Sequence, residues 1–419
     1  MELKSDVIVV GAGAAGLLTA ISAAERGLGV TVLEKNRKPG AKILMSGGTR
    51  CNVTQDTDNR GILDAFHQQG RFLRTAVGRF GPDDVVQLLA DEGVETKIES
   101  TGKIFPASDR AFDVLTAFRS RLSRTDAELI TDCSVTNVIF DKDRDLFTVE
   151  AIRGAHVAAN VVLTTGGMSF PGCGTTGDGY AWAKSFGHEI VPPKPALVPL
   201  TLRDSWATEL SGLTLPDAGV AVKRGNKIVL ATRGSLLFTH FGLSGPAALD
   251  VSRAITTADN LKLLTVTLDF MPGYAESELD AELETADNRK RTIASLVADW
   301  IPKRLASIVC EKSEVAPEQR IAELSKKGRT RLIQHIKSMP VSVNGTMGFK
   351  KAEVTTGGVS LQSVDAKTMC SKYQPGLYFA GEILDIDGPI GGYNFQAAFS
   401  TGWLAGQSIA KRMEAKIGS

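Results

Sequence analysis

Apolar and polar positions along this chain fall into two regimes. Near the start, Val7 to Val10 is apolar at every position, as in a parallel strand buried on both faces. Gly11-x-Gly13-x-x-Gly16 follows at once, and Leu17 to Arg26 is rich in Ala and Leu, which predicts a helix ended by Gly27 and Gly29. Val30 to Leu33 is a second strand, with Glu34 at its C-terminal end. Strand, glycine turn, helix and strand make a βαβ unit. Two later apolar runs fit the same scheme. Val161 to Leu163 leads into Thr165-Gly166-Gly167, and Leu377 to Ala380 leads into Gly381-Glu382. The chain then closes with a predicted helix from Phe395 to Met413.

The middle of the chain differs. Pro192, Pro193, Pro195 and Pro199 suit a linker. β-type runs follow at Leu197–Leu202, Gly219–Lys223, Lys227–Ala231 and Leu263–Phe270, which predict a small β-barrel or sandwich. Met271-Pro-Gly273 breaks this pattern. Residues 275–338 are rich in Glu, Lys, Arg, Ala and Leu, and the spacing of Ile293, Leu296, Val297 and Trp300 predicts a small helical unit. The organisation expected is α/β. Residues 1–193 and 346–419 form one domain, with a β-rich subdomain (194–273) and a helical subdomain (274–345) inserted.

Length supports several units, since 419 residues exceed one ordinary core. Lys+Arg is 48 and Asp+Glu is 47, which gives no electrostatic reason to expect nucleic acid or an anionic membrane as partner. No run of about 18 apolar residues predicts a membrane span. The N-terminus runs directly into a strand, and the five cysteines are odd in number and widely spaced. These features suit a reducing cytoplasm and argue against a disulfide framework or a metal site.

The first glycine turn carries specific chemistry. Gly11 permits the tight turn, Gly13 lets backbone approach a pyrophosphate, and Gly16 allows close helix–strand packing. The pyrophosphate would sit on the helix N-terminus. Glu34, 18 residues after Gly16, is placed to accept ribose hydroxyls, and its charge argues against an NADP 2′-phosphate there. The 39–52 segment offers Lys42, Ser46, Gly47, Gly48 and Arg50 to a longer dinucleotide such as FAD. The start of the last helix, aimed at a flavin, would stabilise negative charge on the reduced ring.

These motifs resemble the BaiN-like (YhiN-type) FAD-dependent flavoproteins. The resemblance rests on Gly11 to Gly16 with Glu34 and on Ile-Leu-Met-Ser-Gly-Gly-x-Arg-Cys-Asn (43–52). It also rests on Gly-Lys-Ile-Phe-Pro (102–106), Thr-Gly-Asp-Gly-Tyr (176–180), Pro-Ala-Leu-Val-Pro-Leu (195–200), Leu-Phe-Thr-His-Phe-Gly-Leu-Ser-Gly-Pro (237–246), Thr-Gly-Gly-Val (356–359) and the 376–396 run. It implies a Rossmann-type FAD-binding domain built from both chain ends. With the motifs above, it sets the residues expected at the cofactor. These are Gly11, Gly13, Ala14, Ala15, Gly16, Glu34, Lys35, Lys42, Ser46, Gly47, Gly48, Arg50, Cys51, Asn52, Val135, Thr165, Gly166, Gly167, Gly381, Glu382, Asp387, Gly392, Tyr393, Asn394 and Phe395. Thr49 departs from the resemblance, because the family usually has a glycine there and a β-branched residue disfavours positive φ.

The resemblance implies a FAD-dependent oxidoreductase acting on a small organic molecule, with NAD(P)H as a transient electron donor. No second glycine fingerprint for that nucleotide is found. An O₂-dependent flavin oxidase of a small amine and a non-catalytic flavin-holding protein are the alternatives. No catalytic residue is assigned. Arg50, His240 and Tyr393 are the candidates, and Cys51 reads as a buried, inert thiol.

Overall fold

The computed structural model describes residues 3–417. They fall into two compact units, residues 3–194 with 354–417, and residues 195–353. The first unit is a Rossmann-type α/β fold. Its central sheet is built from β1 (Leu3–Val10), β2 (Val30–Leu33), β3 (Glu128–Ile130), β4 (Val135–Asp141), β5 (Leu146–Ala151), β6 (Gly154–Leu163) and β7 (Leu377–Phe379). The strand order is β3-β2-β1-β6-β5-β4, and β7 also pairs with β6. Pairs β3–β2, β2–β1, β1–β6 and β6–β7 are parallel. Pairs β6–β5 and β5–β4 are antiparallel. One edge of β6 is therefore shared. Its first half takes β5, and its last residues take β7 from the far end of the chain.

The all-apolar Val7–Val10 run is buried, as expected of a parallel strand covered on both faces. Helix α1 (Ala14–Ala24) packs against the last helix, Tyr393–Ile417. A Cβ at Gly402 would stand 2.3 Å from Ala15 O, so the crossing is close enough to exclude a side chain there. This contact, with the β6–β7 pairing, joins the two chain ends into one core.

His188 anchors the return segment. Its Nδ1 bonds Ser363 Oγ and its Nε2 bonds Ser371 Oγ, both at 2.7 Å, and its ring stands edge-on to Phe379. Burial pulls the imidazole down to about 4. The unfolded chain protonates at the ordinary value, so stability is full above pH ~6.5 and falls as pH drops towards 4, by about 3 kcal/mol. Urea midpoints measured across that window should fall more steeply for the wild type than for His188→Gln. Equal slopes would remove His188 as the cause.

The second unit carries a seven-stranded sheet in the order Met339–Val341, Leu264–Asp269, Thr214–Arg224, Lys227–Thr239, Gly242–Ser244, Leu200–Leu202 and Val343–Thr346. Every neighbouring pair is antiparallel. The two edge strands are separated along the chain by Ser342 alone, so the sheet must curl until its edges meet. It is barrel-like, closed by the chain itself. The segment read as β-rich also holds a helix, Pro246–Thr256.

Residues 194–273 and 274–345, read above as two subdomains, share one core here. Leu279, Leu283, Ile293, Leu296, Val297 and Ile336 bury into the same cluster as Val220, Leu236, Phe238 and Leu268. The helices pack on one another, but helix Lys326–Ser338 also packs on the sheet, so one cluster closes over both segments. The unit also extends past residue 345. Met347 N donates to Pro199 O and Glu353 N to Leu197 O, which ties 346–353 to the inserted unit.

Candidate functional site

The fingerprint turn is fixed by its own geometry. Gly11 has φ +103, and its N–H donates to Leu33 O. A Cβ at Gly16 would lie 1.9 Å from Gly11 O, so only glycine fits at that point. Gly13 differs, since a Cβ there would meet no atom of a residue beyond its chain neighbours within 4 Å. It precedes α1 with no side-chain cap, and the first turn of α1, which holds Ala14, Ala15 and Gly16, carries no acid. Free N–H groups and the positive end of the helix dipole therefore face open space beside Gly13. Glu34 is buried, and its carboxylate accepts from Ala12 N at 2.7 Å and Asn36 N at 2.8 Å. Each oxygen keeps a further lone pair for a hydroxyl. Cys133 N donates to Glu34 O, which places the start of β4, with Val135, alongside. Lys35 Nζ pairs with Asp178 at 2.6 Å and bonds Thr176, which ties the Thr-Gly-Asp-Gly-Tyr motif to the same end.

Three segments distant in sequence converge on Glu382. Its Oε2 accepts from Lys42 Nζ at 2.6 Å. Its Oε1 accepts from Ser169 Oγ at 2.6 Å and Thr355 N at 2.9 Å. Thr355 Oγ1 in turn accepts from Met168 N and Ser169 N. Lys42 lies on α2 (Ala41–Thr49), Ser169 follows the Thr165-Gly166-Gly167 turn after β6, and Glu382 follows β7. Gly166 and Gly381 both hold positive φ in these turns. Ser169, Thr355 and Tyr180 were not among the residues expected at the site. Tyr180 and Thr355 lie in or beside quoted motifs, whereas Ser169 carries no local signal.

The 46–52 turn is strained. Ser46 leaves the helical conformation, and Gly47, Gly48 and Thr49 follow at φ 55, 67 and 71. The position where the resembled family has glycine does take positive φ, and Thr49 adopts it at a cost of about 1–2 kcal/mol. Cys51 also has positive φ, at 63, and is buried. Burial pushes its thiol up to about 12, so it stays protonated at neutral pH. Asn52, with its amide oriented by its neighbours, accepts from Gly392 N and donates to Thr54 O, so it locks two turns together.

Other expected residues make bonds within the protein. Arg50 bonds Glu99 at 2.6 Å, reaches Asp109 at 3.4 Å and lies over the Phe105 ring. Asn394 accepts from Gly388 N and donates to Gly388 O, clamping the loop that holds Asp387. Ser46 Oγ returns to Ile43 O, and Phe395 stacks on Phe399. Gly392, at φ 89, leads into the last helix at Tyr393, which is half-buried. His240 lies in the inserted unit at an exposed turn after Thr239, edge-on to Phe241.

The groups present fit an extended dinucleotide. The α1 end is uncapped and open at Gly13, and the Thr165 hydroxyl and the Tyr180 hydroxyl are buried without a partner. Burial, with Glu382 and Asp385 near, pushes the Tyr180 phenol up, so it remains a neutral donor. Among the described residues, no cluster of His, Cys, Asp or Glu is arranged for a metal ion, and no helix is long and apolar enough to cross a membrane.

The family model described as HI0933-like protein Rossmann domain matches residues 5–408. The chain is 33% identical over 419 residues to a ribosomal RNA dihydrouridine synthase of Haemophilus influenzae, covering 98% of this chain and 100% of that protein. It is 32% identical over 414 residues to a 3-dehydro-bile acid delta(4,6)-reductase of Clostridium scindens, covering 96% and 98%. Its fold is like that of 3-ketosteroid delta1-dehydrogenase from Sterolibacterium denitrificans, with TM-score 0.54 at 14% identity, covering 98% of this chain and 100% of that one. The Haemophilus relative bears on one expectation. The absence of a nucleic-acid partner was read from near-zero net charge, and that ground does not hold, because a total charge averages over the surface and says nothing of local clusters.

Proposed function

The chain belongs to the HI0933-like Rossmann-domain family, whose members are FAD-dependent oxidoreductases, and from this premise we propose that it reduces a carbon–carbon double bond conjugated to a carbonyl, with NAD(P)H as electron donor. Two relatives matching nearly end to end support the reaction class. One is named for making dihydrouridine, which is uridine with one ring double bond saturated, and the other for reducing Δ4,6 bonds of a 3-oxo acid.

The cofactor placement is carried by one observation, the open, uncapped start of α1 at Gly13 beside the buried Glu34. In this reading the α1 end holds the pyrophosphate and Glu34 the adenosine ribose. The turns gathered by Glu382 and Lys42 line the rest of the cofactor. FAD bound there supplies two-electron hydride chemistry. The start of the last helix, whose first turn has no acid, presents a positive dipole end to developing negative charge. Tyr393 is the candidate lining residue. Arg50 is engaged with Glu99 and Asp109.

A second substrate reading, a uracil ring within RNA, is favoured by the Haemophilus relative's match over its full length. The test is anaerobic addition of NADH or NADPH to the FAD-loaded protein, followed by a small enone. Bleaching of the flavin band and its recovery with enone support the proposal. Failure of either nucleotide to bleach the band, with reduction by small amines instead, would replace it with the oxidase.

A further inference from the structure

Helix α3 (Asn59–Ala65), a short 3-10 turn (His67–Gln69) and helix α4 (Gly70–Arg79) form an elbow in the first unit. Its outer side holds a cleft of about 350 Å³ lined by Arg60, His67, Arg71 and Arg74, with Asp64 as the acid among its lining residues. All four basic residues are exposed. Arg60 reaches Asp64 only at 3.7 Å, and His67, Arg71 and Arg74 enter no ion pair among the described residues. Arginines outside any ion pair also occur elsewhere among the described residues, Arg37, Arg119, Arg224 and Arg320 among them, so what sets this cleft apart is that three arginines and a histidine share it.

The same elbow holds the loop beside the proposed cofactor site. Gln69 Nε2 donates to Asp385 O at 2.8 Å, and Gln69 Oε1 accepts from Asp387 N at 3.4 Å. The Phe66 ring packs on Gly388, 2.8 Å from where a Cβ would stand. Cationic cleft and cofactor loop are thus fixed to one short stretch of chain.

We propose that this cleft binds backbone phosphates of an RNA strand whose base is presented at the 385–392 loop. The inference rests on the RNA reading of the proposed function. Exposed cations hold a single phosphate weakly, because water and salt screen each pair. A strand with successive phosphates gains instead from releasing counterions at several cations together. Arginines on α3 and on successive turns of α4 suit that ligand better than one nucleotide phosphate. The planar guanidinium matches a phosphate through two parallel N–H donors.

The experiment measures binding of a short fluorescent, uridine-rich single-stranded RNA to the FAD-loaded protein at several salt concentrations. The double variant Arg71→Glu, Arg74→Glu should bind at least about 10-fold more weakly, with a plot of log affinity against log salt shallower by about 1 for each arginine. Arg71→Lys with Arg74→Lys should retain most of the binding, and Lys142→Glu, a matching reversal in the β4–β5 turn, should change neither quantity. Equal RNA binding by the double variant and the wild type overturns the proposal, as does no RNA binding by the wild type. A raised half-saturating NADPH concentration for flavin reduction, with RNA binding unchanged, assigns the cleft to the nucleotide phosphate and also overturns it. Recovery of the flavin band by a small enone needs no RNA, so failure of the cleft and failure of the reaction class are separable.

Discussion

Gly13→Val is expected to give a folded protein that no longer retains FAD, whereas Gly16→Ala is expected not to fold stably. The two glycines lie in one motif, but the structure separates them. At Gly16 a single added carbon would stand 1.9 Å from Gly11 O and 2.7 Å from Thr164 Oγ1. Thr164 Oγ1 already bonds Val10 O and Gly11 O, so nothing there can yield without breaking the turn. Overpacking typically costs about 1–3 kcal/mol, and a contact this short against backbone puts Gly16→Ala at or beyond the upper end. At Gly13 the backbone is extended, with φ −81 and ψ −167, which valine tolerates, and the added Cβ meets no atom of a residue beyond its chain neighbours within 4 Å. If the pyrophosphate belongs in that space, affinity should fall at least about 100-fold, equal to ~3 kcal/mol, with the melting temperature of the apoprotein little changed. Visible flavin absorbance after gel filtration and a thermal melt of each variant check this. A yellow Gly13→Val protein would place the pyrophosphate elsewhere.

The second large effect is expected at Glu382. Glu382→Ala removes the acceptor shared by Lys42, Ser169 and Thr355 and leaves the Lys42 ammonium with Ser169 Oγ alone. Both side chains of the ion pair are mostly covered, at 25% and 19% exposure, so water replaces the lost partner only in part. Stability should fall by about 3 kcal/mol, the lower end for breaking a covered pair. Glu382→Gln keeps an acceptor oxygen and should cost less than half as much. Lys42→Met combined with Glu382→Ala should be less damaging than the sum of the single changes, since the stranded charge is gone. Urea unfolding with an unchanged slope is the measurement. A loss below about 1 kcal/mol for Glu382→Ala would mean that the three segments are held together by packing instead.

The fingerprint was legible because its constraints are local. Gly11, Gly13 and Gly16 act within one turn, and the flanking strands and helix declare themselves by apolar run and by Ala and Leu content. The inserted unit was legible as strands followed by helices, but not as one core, because a helix's apolar stripe does not say which surface covers it. Thr49 shows the same limit from the other side. Its identity predicts negative φ, yet the turn that follows Gly47 and Gly48 imposes φ 71.

Site residues divide along the same line. Asn52, Asn394 and Arg50 read as cofactor contacts in sequence, which does not show the bonds they also make to Gly392, Gly388 and Glu99. Ser169 gave no signal and stands at the junction with Lys42 and Glu382.

The sequence by itself determined the βαβ unit, the glycine cradle, the acid at the end of β2 and the membership of a flavin-type family, since each depends on neighbours a few residues apart. Tertiary structure alone decided which polar groups are taken and which stay free, and where unpaired arginines gather despite a net charge of +1. Hydrogen bonds and ion pairs act over about 3 Å, whereas partners such as Lys42 and Glu382 stand 340 residues apart along the chain.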